Sequence, residues 1–219
     1  MRNLFKNFFL SLPFGAKLLL LIFVCVFPVA WIGAKTHAFN LYEWLALCPA
    51  LVWKGQIWRA LTWGLLPTNV IDWLIGAFWL ATLFSLVARN WTSFGFWLYC
   101  LIGIFGGSVP ILIIKPAFVG LVAGSGPMVF ALLIAWDWFY KNERILLLGL
   151  GELSVRQAAI LVGITDSIVL FFSCGGWLLM VSAWCGGVAG WVYLLTSSKF
   201  FLHKSPQQIR SERIARLEL

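Results

Sequence analysis

Lys17 and Lys35 bracket residues 18–34, a run of seventeen without a charge. Seventeen residues is about the shortest helix that crosses the hydrocarbon of a bilayer. Five more apolar runs follow, at residues 71–88, 94–114, 118–136, 158–173 and 177–195, and only Asp72 and Asp166 place a charge inside them. The breaks at 89–92, 115–116 and 174–176 are short, so neighbouring helices must run antiparallel in one bundle. The first run also has the shape of a signal-peptide core behind Arg2, Lys6 and Lys17. Its small-residue cleavage pattern is poor and further spans follow, which favours a retained helix. The expected fold is all-α: a polytopic membrane protein of six transmembrane helices.

Composition agrees. Apolar residues make up 62% of the 219 and charged ones 11%, against roughly 45–50% and a quarter in soluble domains. A soluble fold of this size could not hide that surface, which excludes a cytosolic enzyme, a disordered chain and a disulfide scaffold. The bilayer is therefore the first partner. The net charge of +8 needs no nucleic acid, because basic residues collect on the cytoplasmic side of membrane proteins. With the N-terminus inside, twelve of the sixteen Lys and Arg residues fall inside, and only Lys35, Lys54, Arg59 and Lys115 fall outside. Six spans with N-in, C-in topology satisfy that bias in every loop.

Three units follow: a cytoplasmic segment 1–17, a membrane domain 18–197 that includes a first loop 35–68, and a basic cytoplasmic tail 198–219. The first loop is too apolar for disorder, and Glu43, Pro49 and Lys54 make it a poor crossing, so it reads as an interfacial element. The tail, from Ser205-Pro206 onward, has an N-cap and first-turn signal for a surface helix, and its mixed Arg and Glu suit a frayed charged tail equally well. Trp31, Trp44, Trp53, Trp63, Trp91, Trp136, Trp138 and Trp177 lie near helix ends or in the first loop, as a headgroup belt would. Cys25, Cys48, Cys100, Cys174 and Cys185 are scattered without a CxxC, as small buried hydrophobes. No Cys/His cluster, Walker loop or Rossmann fingerprint is present, so no metal or cofactor is expected.

Asp166 stands mid-way along the fifth run, where an acid costs about 2.5–3.5 kcal/mol on insertion scales and marks a site by default. Arg156 is ten positions away, roughly 15 Å along a helix. Thr165 and Ser167 could ease the acid inside the bundle; the sharper expectation is contact with a client.

The loop ends Gln56-Ile57-Trp58-Arg59-Ala60-Leu61-Thr62. Beyond it come Arg89-Asn90-Trp91-Thr92-Ser93, Gly103-Ile104-Phe105-Gly106-Gly107, Gly124-Ser125-Gly126-Pro127-Met128-Val129-Phe130-Ala131-Leu132 and Ala183-Trp184-Cys185-Gly186-Gly187-Val188-Ala189-Gly190. In that order, over residues 18–197, these segments resemble the rhomboid superfamily of intramembrane serine proteases, of a bacterial type. The resemblance implies that Trp58 and Arg59 are a structural motif of the first loop. It also implies a serine on helix four, a histidine base on helix six, oxyanion donors on helix two, and the bacterial cytoplasmic membrane.

Each position can be checked. Gly186 and Gly190 put the base position on Ala183, which accepts no proton. Ser125 is the candidate nucleophile, but aligning Phe130-Ala131-Leu132 puts Gly126 at the serine position. The oxyanion pair falls on Asp72 and Gly76; one would repel an oxyanion and the other has no donor. His37 and His203 are the chain's two histidines, and neither lies on a helix that could face Ser125. The residues thus imply a degenerate member, a pseudoprotease that binds transmembrane segments of client membrane proteins without cleaving them. An active endopeptidase using Ser125 is the alternative. A small transporter or channel comes third, for lack of an inverted repeat or a charged ring.

Overall fold

The computed structural model describes residues 12–36, 39–141, 143–147, 151–172 and 176–197. His37, His203, Cys174 and the tail 198–219 lie outside the described residues, as do residues 1–11 of the N-terminal segment.

Pro13, fixed near φ −58°, precedes α1 (Phe14–Lys35), which carries Pro28 within it. The first loop then folds into three short helices, α2 (Leu41–Leu45), α3 (Pro49–Val52) and α4 (Arg59–Thr62), and a 3-10 turn, Trp63–Leu65. α5 (Val70–Val87) starts at Asn69, whose side chain accepts from the Asp72 amide. α6 (Ser93–Ile114) starts at Thr92, whose hydroxyl accepts from Gly95 N at 3.2 Å. Both are N-caps that satisfy amides a helix leaves open. α7 (Gly126–Tyr140), α8 (Val155–Phe172) and α9 (Gly176–Ser197) complete the chain.

The helices Phe14–Gly33, Val70–Asn90, Ser93–Ile114 and Gly176–Thr196 are long and apolar enough to cross a membrane. α7 has fifteen residues, about 22 Å of rise. It is buried on all sides for most of that length, the mark of a helix surrounded by others. α5, α6, α8 and α9 all pack on it, while α6 and α9 lie against each other and α1 covers α5 and α6.

In lipid no hydrophobic drive brings helices together, so small residues that allow close contact matter most. At the crossing of α6, α7 and α9, Gly103, Gly107, Gly186 and Gly190 meet Pro127 and Ala131. A Cβ at Gly186 would lie 2.6 Å from Pro127 Cβ and 2.7 Å from the Gly103 carbonyl oxygen. Tyr99 donates to the Ala131 carbonyl beside this crossing and stacks on Trp91 at 4.7 Å.

Four expectations change. The run 118–136 becomes helical only at Gly126, so Gly120 and Gly124 precede the helix. Leu47 and Val122 exchange two backbone hydrogen bonds of 2.9 and 2.8 Å, which ties this stretch to the first loop in extended form. Gly124 has φ +147°, a conformation open to glycine alone, and turns the chain into α7. A short antiparallel hairpin, β1 (Arg144–Leu147) with β2 (Gly151–Ser154), joins α7 to α8, so the chain is helical but not wholly so. Trp63, Trp91 and Trp136 are core residues rather than belt residues, whereas Trp31, Trp44, Trp53, Trp138 and Trp177 are exposed. Cys48 and Cys100 are buried, but Cys25 faces outward.

Candidate functional site

Arg59 is 3% exposed. Its guanidinium donates to the Ala46 carbonyl at 2.9 Å, to the Glu43 carbonyl and to Gln56 Oε1 at 2.6 Å. It thereby pins α2 and the following turn onto α4. Thr62 adds a hydroxyl bond of 2.7 Å to the Leu45 carbonyl. Trp58, next to it, is exposed, and its indole N–H donates to the Trp44 carbonyl at 3.2 Å. These two residues shape the loop and stand apart from the cavity described next.

Under the loop, the start of α5 is closed by its own side chains. Asp72 accepts from the Thr68 amide at 2.7 Å and from the Thr68 hydroxyl at 3.1 Å, while Asn69 Oδ1 accepts from the Asp72 amide at 2.8 Å. This is a reciprocal cap, and it puts a carboxylate at the positive end of a helix. Tyr42 donates to the Pro67 carbonyl at 2.6 Å from the loop above. Burial, and then the Asp72 charge, push the Tyr42 phenol up, which keeps it a neutral donor. Replacing Asp72 with alanine is expected to lower stability by about 1 kcal/mol. Unfolding by denaturant in mixed micelles would measure this, and a neutral result would remove the capping role.

One turn along α5, Gly76 is buried, and a Cβ there would touch Ser125 Oγ at 3.0 Å and Phe23 at 3.0 Å. Ser125 is the residue before α7, 4% exposed, with no side-chain capping bond. A Cβ on Gly126 would lie 3.4 Å from that of Ala183, which is fully buried on α9. Asp72, Gly76, Ser125 and Gly126 line one cavity of about 420 Å³, together with Asp166 of α8. Ala183 sits behind Gly126. Five sequence-derived positions and Asp166 therefore converge, although they come from four helices. Trp58 and Arg59 do not join them.

Sequence reasoning missed Thr68, Asn69, Ile71, Ile75 and Trp79, which complete the wall of the cavity at and before α5. The signal was available: 68, 69, 72, 75, 76 and 79 recur at helical spacing from Asp72. Asp166 is the least settled group in the wall. Its Oδ2 is buried with no hydrogen-bond partner among the described residues. Arg156, the base nearest to it in sequence, instead pairs with Asp137 at 3.6 Å. Thr165 and Ser167 turn their hydroxyls back to the Val162 and Gly163 carbonyls. The easing partners expected for the acid are thus occupied elsewhere.

Residues 16–214 match the family described as eukaryotic integral membrane protein (DUF1751). The chain belongs to this family. No curated protein matches it. Membership in the DUF1751 family agrees with several apolar helices embedded in a bilayer. It also corrects the setting: the family is eukaryotic, so neither a bacterial-type member nor the bacterial cytoplasmic membrane is supported.

Proposed function

We propose that this DUF1751 protein is a rhomboid-fold pseudoprotease: a six-span, N-in, C-in bundle that holds transmembrane segments of other membrane proteins without cleaving them. The observation that carries this reading is the Ser125 hydroxyl, which is buried in a membrane-domain cavity whose wall, among the described residues, holds no His or Lys to take its proton. Ala183 offers only a methyl group at the position the resemblance assigns to the base. Where an oxyanion would need donors, the cavity presents the Asp72 carboxylate and the bare backbone of Gly76. An unactivated hydroxyl is a poor nucleophile, and a carboxylate beside the reacting carbonyl would repel the developing oxyanion.

The endopeptidase reading has one observation in its favour: Asp72 and Asp166 share the cavity with Ser125. A general base must lie within hydrogen-bonding reach of its proton. Asp72 is held by Thr68, and neither carboxylate bonds to the Ser125 hydroxyl among the described residues. A fluorophosphonate probe is expected to leave the purified protein unlabelled. Labelling lost in Ser125→Ala, with hydrolysis of a transmembrane peptide, would establish the protease instead.

A further inference from the structure

A second hollow adjoins the cavity. α5 and α8 both pack on α7 but make little contact with one another. Between them lies a hollow of about 430 Å³ walled by Leu74, Ile75, Phe78 and Trp79 of α5 and by Thr165 and Asp166 of α8. Ile75, Trp79 and Asp166 line both spaces, so the acid stands in the wall between them. The rim is apolar and turned outward: Leu74 is 56%, Ile75 40% and Phe78 64% exposed. Such a rim suits a helix arriving from lipid.

The interior has a different chemistry. Its charged residues, among the described ones, are two carboxylates, Asp72 and Asp166, with no Lys, Arg or His in the wall. Among the described residues Asp166 Oδ2 is buried there with no hydrogen-bond partner, and Ser125, 4% exposed, makes no side-chain capping bond. An acceptor left open in lipid favours any neighbour that brings a donor, and an acid favours a cation most.

We infer that the occupant is a transmembrane helix bearing a basic side chain near its middle, which enters between α5 and α8 and sets its ammonium or guanidinium against Asp166, with Asp72 and Ser125 on the far wall. This rests on the client-binding reading above and adds a rule for which clients are held. The rim accounts for the helix, and the acids account for its charge.

The test uses the full chain in phosphatidylcholine vesicles with a photo-crosslinking residue at Phe78. The probes are leucine–alanine host helices that carry Lys, Asn, Glu or Leu at the central position. The Lys host is expected to be captured about tenfold better than the Leu host, and the Glu host worse than either. Asp166→Asn, close in shape to the native residue, should erase the Lys preference yet leave capture of the Leu host as it was. Equal capture of Lys and Leu hosts would overturn the charge rule and leave client binding standing. Equal capture of Asn and Lys hosts would overturn the need for a cation. If no host is captured, both this inference and the reading beneath it fail. Should Asp166→Asn misfold, Asp72→Asn offers the same comparison, with a smaller loss of preference expected.

Discussion

Arg59→Ala should lower the stability of the folded protein by about 3 kcal/mol, the scale expected when charged hydrogen bonds are lost and their acceptors stay buried. The side chain is nearly inaccessible and serves three acceptors on two separate parts of the first loop. Alanine leaves the Glu43 and Ala46 carbonyls without a donor and opens a hole where the guanidinium lay. Arg59→Lys should recover less than half of the loss. An ammonium is a single point of charge and cannot match a planar fork that reaches three directions. Unfolding by denaturant in mixed micelles, followed by tryptophan fluorescence, would measure both. If lysine restores the native midpoint, charge rather than fork geometry is what the loop requires.

The second large effect is at the glycine crossing. Gly186→Ala should destabilise by about 2–3 kcal/mol despite alanine's better helix propensity, because overpacking outweighs it. The added methyl would meet Pro127 Cβ at 2.6 Å, Gly103 O at 2.7 Å and Pro127 Cα at 2.8 Å. Two of these are backbone atoms, so a rotamer change cannot relieve the clash and α9 must move away from α6 and α7. Gly163 is the internal control. A Cβ there meets only Phe130 at 3.8 Å, so Gly163→Ala should stabilise by about 0.5–1 kcal/mol through propensity alone. Opposite signs for one substitution on two helices would tie the effect to contact. The same sign at both positions would contradict the close packing described here.

Where the sequence misled, the cause is local. The apolar run 118–136 has no period that separates a helix from a buried extended stretch. Only the pairing of Val122 with Leu47, seventy-five residues earlier in the chain, decides that it starts extended. Trp91 looks like a belt residue by its place at a helix end. It is core because Tyr99 and Phe139 close over it, at 4.7 and 4.9 Å between ring centres. The sequence marked Asp72 only as a charge inside an apolar run. Its work as the cap of α5 depends on the exact turn taken by Thr68 and Asn69.

What the sequence determined by itself is the solvent. Too many apolar residues leave no choice but lipid. What only the tertiary structure decided is that Asp72, Ser125 and Asp166 share one cavity, and that Asp166 Oδ2 is buried there with no hydrogen-bond partner among the described residues. Helical period assigns residues to faces within one helix. It says nothing of which faces from four helices will meet. Those meetings are set by how closely the helices can cross, and here glycines opposite Pro127 and Ala131 set that distance.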